Sequence, residues 1–245
     1  MSLRDFLVCA SFAVLCASAS VPAQAQSAVG ELYFRGDAGW SGTTDANIHD
    51  RNFPVDHAIT GLGGTAGTLD DIGSGWFAGG GFGMQFIPNF RADLVYTYRG
   101  GYHLDQFDQA PSPTKFRSDI FAHSVMASGY ADFPYLYDGI IPFLGAGIGW
   151  SQINMTDLSA SNSGKTVVAP KGISDNFSWQ LTAGVGFAVY DGIMVDLFYR
   201  YFDGGHMHTR AGNTISGGAV VGTYEGAEGD LRAHEFGISF RAPIR

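Results

Sequence analysis

Eight stretches of this chain alternate apolar and polar side chains with a period of two, and each is long enough to cross a bilayer as a strand. About 9–11 residues suffice for a tilted transmembrane strand, and successive side chains of a strand point to opposite faces. The stretches are predicted at 29–41, 75–86, 90–102, 118–132, 141–153, 176–190, 193–203 and 231–241. In the first, Leu32, Phe34, Gly36, Ala38 and Trp40 share one face, with Tyr33, Arg35, Asp37, Gly39 and Ser41 on the other. In the third, Phe90, Ala92, Leu94, Tyr96, Tyr98 and Tyr102 form the apolar face, opposite Arg91, Asp93, Val95, Thr97, Arg99 and Gly101. The fourth is ambiguous in register, and the reading adopted puts Phe121, Val125, Ala127 and Ala131 outward.

The connections alternate strictly in length. Short ones fall at 87–89, 135–139 and 191–192, and long ones at 42–74, 103–117, 154–175 and 204–230. Barrels of the outer membrane have short periplasmic turns and longer extracellular loops, whereas a soluble sandwich has no reason to sort loop length by end. The expectation is therefore an all-β fold, an eight-stranded antiparallel up-and-down transmembrane β-barrel. No stretch beyond the N-terminal segment approaches the roughly 18 consecutive apolar residues of a membrane helix.

Arg4, an apolar run from Phe6 to Ala17 and Ala23-Gln24-Ala25 have the order of a secretion signal. They predict a signal peptide over 1–25, cleaved after Ala25, and a barrel domain over 26–245. Cys9 and Cys16 both lie in the segment to be removed, so neither disulfides nor thiolate metal sites are expected. The net charge of −9 argues against nucleic acid as a partner.

The aromatic residues are sorted by height. Trp40, Trp76, Trp150 and Trp179 lie where a strand meets a long loop, and Phe86, Phe90, Phe133, Tyr135 and Tyr190 lie at the short turns. Two aromatic belts at the membrane interfaces produce this pattern. The lysines, Lys115, Lys165 and Lys171, fall in the long loops or at their edge.

Tyr33-Phe34-Arg35-Gly36-Asp37-Ala38-Gly39-Trp40, Pro142-Phe143-Leu144-Gly145-Ala146-Gly147-Ile148-Gly149-Trp150 and Tyr199-Arg200-Tyr201-Phe202 carry a resemblance. The chain resembles the small porin-like and opacity-like outer-membrane β-barrels of Gram-negative bacteria, related in fold to the OmpA membrane domain. The resemblance implies an outer-membrane location, a structural or surface-contact role and no catalytic residues. Members usually end on an aromatic residue, whereas here Phe240 is followed by Arg241 to Arg245.

Sites for chemistry are sparse. His123 and Ser124 are adjacent, so a strand sends them to opposite faces and they do not pair as base and nucleophile. Asp203, His206 and His208 could hold a metal but lack a fourth ligand at a telling spacing. Gly79-Gly80-Gly81-Phe82-Gly83 lacks the Lys-Ser/Thr of a phosphate loop and reads as small inward residues. No cofactor, metal or enzymatic activity is expected. The strongest polar set is Arg35, Asp37, Arg91, Asp93, Arg99, Asp196, Arg200 and Glu235, expected to form an ionic network that fills the lumen.

The leading functional expectation is a monomeric surface-interaction barrel with a plugged lumen and four long extracellular loops. Its expected partners are outer-membrane lipid and lipopolysaccharide, with a host or neighbouring surface protein beyond them. A narrow porin for small solutes and a soluble lipocalin-like carrier are the alternatives.

Overall fold

A computed structural model describes residues 30–44, 49–50, 73–107, 115–133, 139–162, 165–190, 192–224 and 226–244. The described residues form thirteen strands in chain order. They are β1 (Leu32–Thr43), β2 (His49–Asp50), β3 (Ser74–Ile87), β4 (Phe90–Phe107), β5 (Lys115–Asp132), β6 (Ile140–Met155), β7 (Leu158–Asn162), β8 (Lys165–Ala169), β9 (Gly172–Tyr190), β10 (Ile193–His208), β11 (Gly212–Ser216), β12 (Ala219–Tyr224) and β13 (Ala227–Pro243). Eight of these make the wall, each antiparallel to the next in the order β1, β3, β4, β5, β6, β9, β10 and β13. Pairing of β13 with β1, from Tyr33↔Pro243 to Thr43↔Ala233, closes the barrel. Closure leaves no free edge in the wall, as a lipid environment requires.

The alternation places the side chains. Along β1, Tyr33, Arg35, Asp37 and Ser41 are buried inside, and Leu32, Phe34 and Trp40 are exposed outside. Leu94, Ile148, Leu181, Ile238 and Phe240 are likewise exposed, on the face that meets lipid in an outer-membrane barrel. The face chosen for the fourth stretch also holds: Val125 is exposed, while Ser124, Met126 and Ser128 are buried. Pro88 and Asn89 turn the chain between β3 and β4, with Asn89 at φ 68°, a conformation asparagine tolerates. The turn at 135–139 and Asp191 lie outside or largely outside the described residues, as do 45–48, 51–72 and 108–114.

Two expectations are corrected. Tyr102, assigned to the outer face, is fully buried inside. The pairing of β4 with β5 slips between Arg99↔Ala122 and Tyr102↔Ile120, so one extra residue of β4 is left unopposed. Gly101, at φ 83°, permits this bulge, and the bulge reverses the facing, so that Tyr102 is buried and His103 exposed. The second correction concerns the long connections at 154–175 and 204–230, which are largely β-structure. The wall strands β6, β9, β10 and β13 run on past the expected ends, and β7–β8 and β11–β12 form hairpins above them. Ser216 and Ala219 pair across Gly217-Gly218, both with positive φ, a two-residue hairpin turn that glycine favours.

The register gives a direct expectation. An arginine at Leu94 or Val185, both outward and between the two aromatic belts, should cost about 2–4 kcal/mol at the bilayer midplane. Val95→Thr, on the inner face, should change stability much less. Urea titration of protein refolded into lipid vesicles measures both, and equal losses on the two faces would contradict the facing described above.

Candidate functional site

The interior is layered from the short-turn end upward. Near that end, Arg241 grips Asp196 through two hydrogen bonds, Nε to Oδ2 and Nη2 to Oδ1, each 2.8 Å. Beside it, Arg91 donates from Nε to Asp132 at 3.2 Å, and its Nη1 lies 3.6 Å from Asp93 Oδ2. Asp93 also accepts from Arg35 Nη1 and from the Tyr33 hydroxyl. Arg35 donates further to Asp37 and to the Tyr130 hydroxyl, both at 2.8 Å.

The next layer is centred on Glu235. Arg99 donates from Nε to Glu235 Oε1 at 2.7 Å and from Nη1 to Ser124 Oγ at 2.6 Å. Arg200 donates from Nε to Glu235 Oε2. Tyr102 donates to Ser41 Oγ at 2.6 Å, and Ser41 donates in turn to Glu235 Oε1 at 3.1 Å. Arg200 Nη1, 3.8 Å from Asp37 Oδ2, links the two layers. All eight predicted network residues are buried, and seven fall into this linked set. Asp196 stands apart with Arg241.

Five arginines, Arg35, Arg91, Arg99, Arg200 and Arg241, thus face five carboxylates, Asp37, Asp93, Asp132, Asp196 and Glu235. Neutrality within the set matters because an unpaired buried ion costs several kcal/mol. Aromatic faces complete the guanidinium surroundings. Arg91 lies 4.1 Å from the Tyr130 ring centre, Arg99 3.5 Å from Phe202 and Arg200 4.7 Å from Phe77.

Arg241, Asp132, Tyr33 and Tyr130 were not anticipated. Parity could have found the first two, since Arg241 continues the inward series Glu235 and Ser239, and Asp132 the series Ser128 and Tyr130. The inward glycines act partly as expected. A Cβ on Gly83 would sit 2.3 Å from Asp93 Oδ1 and from the Tyr33 ring, and one on Gly186 2.7 Å from Asp196 Oδ1. Gly184 makes room for an aromatic ring, that of Phe143, and not for charge.

Above the charged layers lies an apolar one. Tyr102, Ile120, Met126, Ile153, Met155, Phe202, Met207 and Leu231 from the wall pack with Leu158, Val167 and Ala169 from the β7–β8 hairpin. On the outside, Trp40, Trp76, Trp150 and Trp179 are exposed toward the long-loop end, and Phe86, Phe90 and Phe133 toward the other. Trp76 contacts Tyr98 at 5.4 Å, and Trp179 contacts Tyr201 at 5.3 Å. The side chains of Tyr135 and Tyr190 lie outside the described residues. Among the described residues no cluster of three or more His, Cys, Asp or Glu is arranged to hold a metal, and Asp203 pairs instead with Arg232 at 3.5 Å.

A family model of the outer membrane protein β-barrel domain matches residues 11–242, and the chain belongs to that family. Outer membrane protein PagN of Salmonella typhimurium is 28% identical over 190 residues, covering 71% of this chain and 74% of that protein. A candidate adhesin of Rickettsia rickettsii is 28% identical over 156 residues, covering 58% of this chain and 64% of that protein. The crystal structure of Neisserial surface protein A aligns over 87% of this chain and 97% of its own, at 18% identity and a TM-score of 0.48. The protein is accordingly an outer-membrane β-barrel with relatives named as an outer-membrane protein and as adhesins.

Glu235 accepts from two buried arginines at once, so Glu235→Gln keeps the volume and strands two cations. The variant should lose about 3–5 kcal/mol of stability, and less where lumen water reaches the guanidinium groups. Heat-modifiable migration after refolding across a urea series reads this, and a loss within about 0.5 kcal/mol of wild type would contradict a buried pairing role.

Proposed function

We propose that the protein is a monomeric surface-contact barrel of the outer membrane. The wall anchors it, and the connections at 42–74, 103–117, 154–175 and 204–230 face outward to meet lipopolysaccharide, a host surface or neighbouring proteins. The lumen is a plug with no permanent channel, and the protein catalyses no reaction. The single observation that carries this reading is the stack of paired, buried charge beneath an apolar layer against which the β7–β8 hairpin packs. An eight-stranded barrel has room for side chains but not for side chains and a channel together. The two rings of exposed aromatics support a seat between the headgroup layers. The name borne by the rickettsial relative supports contact with a host surface.

The narrow-porin reading draws on a different observation. Arg91 Nη2, Arg200 Nη2, Ser151 Oγ and Gln180 Oε1 are buried without a hydrogen-bond partner among the described residues, and groups of this kind favour internal water.

Expression of the full chain in a non-adherent laboratory strain, followed by counting bacteria bound to cultured epithelial cells, tests the contact role. Binding should rise severalfold over vector-only cells and fall back after proteinase K treatment of intact cells. The protease should cut within 42–74 and 204–230 and spare 87–89. Equal binding with and without the protein would remove the contact role, and cleavage at 87–89 on intact cells would invert the topology.

A further inference from the structure

The two upper hairpins join into one sheet. β7 pairs with the start of β5 from Lys115↔Ser161 to Arg117↔Ser159, β8 pairs with β7, and β11 pairs with β8 from Asn213↔Val168 to Ser216↔Lys165. The order is β5, β7, β8, β11 and β12, with β12 last. Buried Leu158, Val167 and Ala169 fix β7 and β8 to the barrel from below, so the outer strands project from a fixed base.

Among the described residues, β12 pairs with β11 on one side and with no strand on the other. Residues 212–224 contain no Asp, Glu, Lys or Arg. Residues 219–223 are exposed on both faces, with Val220 at 64% and Val221 at 58%, as open as the lipid-facing Phe82 at 55%. Native edge strands are usually blunted by lysine, proline or inward charge. β12 has none of these; the one blunting device it carries is a bulge opposite Thr214 and Ile215, which leaves both valines outside.

We propose that β12 is a docking edge for an extended segment of a partner polypeptide, which adds to the sheet as a further strand. Backbone N–H and C=O groups alternate along a free edge, and another extended backbone matches them, whereas an acyl chain would leave them unpaired. Charge also selects the occupant. A sulfated glycan or a phosphorylated headgroup calls for Lys or Arg, and this hairpin has neither. Glu225 follows β12 in the sequence, so a partner strand with a basic flank is favoured, whereas Glu228 and Asp230 on β13 are already paired with His206. The inference goes beyond surface contact in general and stands on the sheet, so binding in detergent tests it separately from adhesion.

The probe is a fluorescein-labelled peptide of alternating valine and threonine with lysine at both ends, titrated with full-length protein in detergent micelles. Anisotropy should show saturable binding. A twin peptide with central amides replaced by esters keeps the side chains but loses N–H donors, and should bind at least tenfold more weakly. The double variant Val220→Lys and Thr223→Lys should bind the amide peptide at least tenfold more weakly, with heat-modifiable migration unchanged. Absence of saturable binding, or equal binding of amide and ester peptides, would overturn the proposal. So would concentration-dependent dimers that vanish in the lysine variant, since they would assign the edge to a second copy.

Discussion

A guanidinium that points into an eight-stranded barrel enters a space only wide enough for side chains, and there it must meet a carboxylate or bear a large desolvation cost. The wall sequence follows from that requirement. Arg99 on β4 reaches Glu235 on β13, although β3 and β1 stand between them in the wall. Such a reach needs intervening strands with little inward volume, and β3 supplies Gly79, Gly81 and Gly83 on its inner face. The space is closely matched, since added methyl groups at Gly83 and Gly186 would press on the very carboxylates that the arginines bind. Arginine suits the task because its planar fork binds a carboxylate through two hydrogen bonds, as Arg241 does with Asp196.

The upper part of the barrel is governed by burial instead of charge. Beyond Arg99 the β4 bulge turns Tyr102 inward, and its hydroxyl reaches down through Ser41 to Glu235 while its ring joins the apolar layer. Tyr102 therefore binds the two regimes together. The β7–β8 hairpin rests on that layer through Leu158, Val167 and Ala169, while Val168 on its other side and Val220 and Val221 on β12 are exposed. The membrane wall and the proposed contact surface thus belong to different parts of one continuous sheet.

Strand number, facing and closure were legible because one residue period governs the whole wall, and a slip of one residue would exchange the lipid face for the lumen. The polar set was legible for the same reason, as charges that alternate with leucine and phenylalanine have to face inward. What escaped has local causes. Gly100 and Gly101 carry no side chain to mark a face, so the bulge that inverts Tyr102 leaves no trace in the alternation. Arg241 and Asp132 lie at strand ends, where a charge is equally expected in solvent. The hairpin strands are five or six residues long, too short for an alternation to stand out, so tertiary pairing decides their form.

The central claim is that paired charge and the apolar layer close the barrel. Single-channel recording on the purified full-length protein in planar bilayers, at ordinary salt, addresses it most directly. The account predicts a flat baseline, broken at most by brief irregular events. Long-lived conductance steps of uniform size would contradict it, because they require a continuous aqueous path past Arg35, Arg99 and Glu235.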